Sequence, residues 1–100
     1  MNWKETHKDI GRVKEGSKNF ITYNYTGELP AGFRVVDLEA SCGCTTPSFN
    51  PAKKELKLEY KAGRVPQHLR SKGEMHSGKK VTMTTDTGKM IFTFGATIFI

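Results

Sequence analysis

From Glu55 to Tyr60 the chain alternates without a break, so that Leu56, Leu58 and Tyr60 fall on one side and Glu55, Lys57 and Glu59 on the other. Side chains repeat every two residues in a strand, whereas a helix would scatter the three apolar groups around its axis. The pattern predicts a half-exposed antiparallel strand with one wet face. Such a strand needs partners, and the chain supplies them. Residues 19–25 set Ile21, Tyr23 and Tyr25 against Phe20, Thr22 and Asn24, and residues 33–38 set Phe33 and Val35 against Val36 and Leu38. Residues 79–85 and 89–100 are joined by Asp86-Thr87-Gly88, a short glycine-containing hairpin connection. In the last strand Met90, Phe92, Phe94, Ala96, Ile98 and Ile100 share one face, and Ile91, Thr93, Thr97 and Phe99 the other. Two apolar faces predict a central strand, or one whose end a partner covers.

The intervening segments read as breaks. Lys14-Glu15-Gly16-Ser17 is a turn, and residues 26–32 carry two Gly and a Pro. Pro47 and Pro51 confine residues 47–52 to a sheet edge or a turn. Residues 61–78 keep no period, contain three Gly and a Pro, and read as a long loop of functional or mobile character. Residues 1–9 fit either a first edge strand or an arm reaching a neighbouring molecule. Trp3 in that stretch fits either packing onto its own domain or an interface anchor. No stretch holds a helical period. Six or seven short strands separated by turn signals therefore predict an all-β fold, a β-sandwich.

One hundred residues make one domain with one modest core, and 36% hydrophobic against 26% charged residues is ordinary for a folded soluble protein. No apolar run approaches the roughly 18 residues of a membrane span, so no membrane partner is expected. The N-terminal nine residues lack a signal-peptide core, from which we expect assembly in the cytoplasm without Sec export. The net charge is +6, and between Lys61 and Lys80 it concentrates in Lys61, Arg64, Arg70, Lys72, Lys79 and Lys80 against the single acid Glu74. Three readings stand: a solvated basic loop, a docking surface for an acidic protein partner, and a nucleic-acid contact. The last is weakest because no stacking aromatics are interleaved with the cations.

Both cysteines lie in Ser41-Cys42-Gly43-Cys44-Thr45-Thr46-Pro47, one residue apart. In an extended chain Cys42 and Cys44 face the same side, and a direct disulfide would close a very small strained ring. A packed, reduced pair, redox or intermolecular disulfide chemistry, and metal binding all remain readings of the motif. Metal binding would need further ligands, and His7, His68 and His76 stand at no recognised spacing. A nucleophilic cysteine would need a base and an orienting third group. Neither can be placed, and there is no phosphate cradle or paired-carboxylate signature. The expectation is a protein that is not an enzyme, with no cofactor and no small-molecule substrate.

Taken with Gly11, Val13 and Gly16 and with Asn24-Tyr25-Thr26-Gly27, the Ser-Cys-Gly-Cys-Thr motif resembles a bacterial and phage family of unknown-function domains related to Hydin-type domains. Tyr25 interrupts the Asn-Thr-Gly usual in that family. The resemblance implies an immunoglobulin-like antiparallel β-sandwich of about seven strands, a single domain over residues 1–100 with 1–9 as an N-terminal arm and 61–78 as a long basic loop. Residues 65–73 are similar to the version of the domain in tailed-phage virion proteins. That second likeness implies a non-enzymatic structural protein of the virion, decorating or cementing the capsid or sitting in the neck or tail. Capsid or other virion proteins, and copies of itself, are then the expected partners, with Trp3, Arg64, His68, Arg70 and Lys72 as contact residues. Two other readings remain open: a bacterial cellular or periplasmic immunoglobulin-like adaptor, and a metal or redox module at Cys42 and Cys44.

Overall fold

Period-two patterning becomes two sheets. The computed structural model describes residues 2–29, 31–41 and 43–100; Met1, Pro30 and Cys42 lie outside the described residues. The strands are β1 (Asn2–Trp3), β2 (His7–Lys14), β3 (Lys18–Thr26), β4 (Val35–Ala40), β5 (Thr45–Asn50), β6 (Glu55–Lys61), β7 (Glu74–Thr85) and β8 (Gly88–Phe99), with a short 3-10 helix, Gln67–Lys72, before β7. One sheet has the order β1-β3-β6-β5 and the other β2-β8-β7-β4. Every pairing is antiparallel except that of β2 with β8. The fold is all-β. The described residues form eight strands where about seven were expected.

The core lies between the sheets, and the alternation explains who enters it. Ile21, Tyr23 and Tyr25 of β3 and Leu56, Leu58 and Tyr60 of β6 point inward from one sheet. Val81 and Met83 of β7 and Phe92, Phe94, Ala96 and Ile98 of β8 meet them from the other. Tyr23 packs on Phe92 with ring centroids 5.2 Å apart, and Tyr60 meets Phe94 edge-on at 5.0 Å. The Tyr23 hydroxyl donates to the Thr93 carbonyl, and burial pushes its pKa up to about 12. As its two apolar faces suggested, β8 is an interior strand, lying between β2 and β7.

Two expectations are corrected. Residues 1–9 are not a free arm: β1 pairs with β3 from Asn2↔Thr26 to Trp3↔Tyr25, and β2 begins at His7 opposite Thr93. Backbone pairing and the Trp3 ring tie the segment down. Residues 61–78 are not one loop either, because Lys61 closes β6, residues 67–72 form the 3-10 helix and β7 starts at Glu74. The lower half of β7 escapes sequence reading because its side chains bury little. There β8 supplies the apolar surface and β7 contributes mainly its backbone. Pro47 lies inside a strand, but β5 is a sheet edge, where a residue without an N–H is tolerated.

The molecule is 53 Å long and 20 by 16 Å across. The β7–β8 hairpin sets that length, since twelve-residue strands reach about 40 Å. β4 runs beside only part of it, from Val35↔Thr85 to Ala40↔Val81.

Candidate interaction surface

The basic segment is positioned by a single carboxylate. Gly16, at φ 79°, lets the chain reverse between β2 and β3, and this turn presents Glu15 to the start of the β6–β7 connection. The Glu15 carboxylate accepts hydrogen bonds from the Val65 N–H at 3.0 Å and from Arg70 Nη1 and Nη2 at 3.2 and 3.4 Å. Arg70 Nη1 also donates to the Val65 carbonyl at 3.3 Å. The Val65 N–H and then the Arg70 guanidinium hold the Glu15 carboxyl below the usual carboxylate range. Gly73 ends the 3-10 helix at φ 76°, and its carbonyl accepts from the Ile100 N–H at 3.2 Å. The segment is thus fixed at both ends.

Arg70, expected as a contact residue, is half-buried and turned inward on Glu15. Its charge has structural work, which the sequence could not show because Glu15 is 55 residues away. Arg64, His68 and Lys72 are exposed on the same segment, and neither Arg64 nor Lys72 forms an ion pair among the described residues. Trp3 is not brought near them. It sits at the opposite end of β3, with its ring edge-on to Tyr25 at 5.0 Å and to Phe92 at 4.6 Å. Of the two readings of Trp3, this is packing onto its own domain, although Nε1 is buried without a hydrogen-bond partner.

Cys44 is disulfide-bonded, which corrects the packed, reduced reading for that residue. That reading assumed an extended chain, whereas Gly43 and Cys44 form a turn. The Cys42 half of the expectation lies outside the described residues. A sulfur in a disulfide is not a thiolate ligand. Among the described residues no three His, Cys, Asp or Glu side chains are grouped to hold a metal ion.

The structure also assembles a feature that sequence reading missed. On the outer face of the second sheet Gly78 and Gly95 stand directly opposite each other. Two adjoining concavities share this glycine floor. One, of about 300 Å³, is lined by Asp9, His76 and Thr97; the other, of about 450 Å³, by His7, Ser41, Lys80 and Thr93. Each histidine is oriented by a threonine on β8: His7 Nδ1 lies 2.7 Å from Thr93 Oγ1 and His76 Nδ1 lies 2.9 Å from Thr97 Oγ1. In the sequence His7 falls in a stretch that fits an edge strand or an arm and Gly78 in one that reads as a loop, so no sequence signal links them.

The profile of the family described as "Protein of unknown function (DUF1573)" matches residues 1–98. The chain belongs to the DUF1573 family. No curated protein and no solved structure matches it. The DUF1573 match takes in β1 to β7 and the whole basic segment, so the exposed cations belong to the domain proper. In this DUF1573 domain Arg64, His68 and Lys72 face outward from the segment that Glu15 holds.

Proposed function

We propose that this DUF1573 domain is a non-enzymatic interaction protein of immunoglobulin-like fold that docks on an acidic protein surface through the end bearing Arg64, His68 and Lys72. The observation that carries the reading is the Glu15 clamp. It holds an exposed, cation-bearing segment in one shape before any partner arrives, and a preorganised surface loses less entropy on binding. The immunoglobulin-like assignment is supported by an N-terminal stretch that pairs first with β3 in one sheet and then, in parallel, with the last strand of the other. The relation to Hydin-type domains rests on the Ser-Cys-Gly-Cys-Thr motif. Decoration or cementing of a tailed-phage capsid, with a neck or tail place as the variant, rests on the likeness of residues 65–73 to virion proteins.

Charge reversal at Arg64 and Lys72 tests the docking surface, and Arg70 is left intact because reversing it would release the segment. We expect the double variant to keep its fold and to lose occupancy on purified particles, measured by quantitative mass spectrometry against the major capsid protein. Unchanged occupancy would remove the basic end from the interface, and absence of the wild-type chain from particles would end the virion reading. One observation favours the adaptor reading instead. Cys44 is disulfide-bonded, and disulfides persist in oxidising compartments such as the periplasm. Thiol alkylation of fractionated cells separates the two, with an oxidised, periplasmic pool marking the adaptor.

A further inference from the structure

β7 pairs with β8 without a register shift from Glu74↔Phe99 to Thr85↔Gly88. In such a ladder successive residues point their N–H and C=O groups to opposite sides. Lys80 fixes the phase: its N–H donates to Ser41 Oγ at 3.1 Å, and its carbonyl accepts from the Ser41 N–H at 2.9 Å. Even-numbered residues of β7 therefore face the β4 side and odd-numbered residues face β8. Two residues at a time down the strand, Gly78, His76 and Glu74 aim their backbone groups where β4 no longer runs. The chain has left that sheet after Ser41 to enter β5 at Thr45, and among the described residues no strand pairs with β7 there. His76 and Gly78 are exposed, and Gly78 has no Cβ to hold a neighbour off. The vacancy spans residues 74–78, about 17 Å at strand spacing.

An open row of donors and acceptors is a template for an added strand. The surrounding charge selects its chemistry. His76 and Lys80 are exposed along the row, and Arg64 and Lys72 are exposed on the segment that leads into it. The one acid in the row, Glu74, is engaged by Arg12 at 3.0 Å. A second copy would set this cationic edge against itself, in a chain that already carries +6. Met75 faces inward from the same stretch and is only half-buried, leaving room for an apolar neighbour.

We propose that residues 74–78 of β7 accept an extended partner segment, alternating acidic and apolar residues, as an added strand that continues the line of β4. This names the partner chemistry for the acidic-surface reading above and rests on it.

The probe, the Asp-Val peptide, is a capped hexapeptide of alternating Asp and Val, and its control is the same sequence N-methylated at every backbone amide. The two carry the same charge, but the control has no backbone N–H to give to a ladder. With the Asp-Val peptide, amide exchange at His76 and Gly78 should slow on the order of tenfold or more, while Ser77 and Lys79 stay as protected as before. His76→Pro removes an outward N–H that no strand among the described residues accepts, so the domain should remain folded and lose the peptide. Ser77→Pro removes an N–H given to β8 and should destabilise the domain itself. Equal binding of both peptides without protection at His76 and Gly78 would defeat strand addition while leaving a basic docking end in place. Binding of neither peptide would defeat both. Protection of His76 and Gly78 by self-association without peptide would make the occupant a second copy and overturn the proposal.

Discussion

The two halves of the β7–β8 hairpin follow one ladder and live in different surroundings. Above Lys80, β7 lies between β8 and β4, and its inward side chains Val81 and Met83 are fully buried. Below Lys80, β8 continues with Ala96 and Ile98 in the core, but among the described residues no second strand pairs with β7 and Met75 is half-buried. Continuous backbone pairing does not make a strand a core strand. The neighbour on the far side decides how much apolar surface leaves water.

Substitution in the two halves should show the contrast most strongly. Phe92 is fully buried between Trp3 and Tyr23, and Phe92→Ala should cost about 3–5 kcal/mol in urea unfolding. Met75→Ala, in the open half, should cost about 1 kcal/mol, since a half-buried side chain gives up less surface. Equal costs would mean that something covers the lower half.

The upper half was legible in the sequence and the lower was not, for one physical reason. Leu56, Leu58 and Tyr60, or Phe92 and Phe94, alternate because burial on one face selects apolar side chains at every second position. His76, Ser77 and Gly78 lie in an equally regular strand, but their place depends on main-chain bonds to β8, to which hydropathy is blind. The clamp was hidden differently: Glu15 and Arg70 are ordinary surface residues until the fold brings them together. Among the expected contact residues, Arg64 and Lys72 could be read as surface cations and His68 as a surface imidazole. Nothing in the sequence distinguished Arg70 from them.

A smaller effect separates the fixed end of the basic segment from the open strand that follows it. Because the Glu15 carboxyl is held below its ordinary value of 4.5, its contribution is present at neutral pH and is lost as pH falls through the depressed folded value. As the pH falls below 4.5 and through that depressed value, amide protection at Val65 should collapse while the alternation along β7 persists. Arg70→Met should weaken the protection of Val65 already at pH 7. A Val65 amide as well protected in Arg70→Met as in the wild type would contradict the clamp.

The smallest effect is at the glycine floor. A Cβ on Gly95 would come no nearer than 4.0 Å to the Ser77 carbonyl oxygen, and the residue has no positive φ to protect. Gly95→Ala should therefore raise stability by about 0.5 kcal/mol in the same unfolding assay. A loss would show that the floor is needed for the twist of the hairpin.

The most direct measurement is residue-resolved amide hydrogen exchange along β7 in the unliganded protein. Thr82 should exchange slowly because β4 covers it, and Met75, Ser77 and Lys79 because β8 does. His76 and Gly78 should exchange fast, giving an alternation confined to the lower half. Uniform protection from Glu74 to Thr85, with His76 and Gly78 as slow as Thr82, would mean that the edge is already occupied and would contradict the vacancy beside β7.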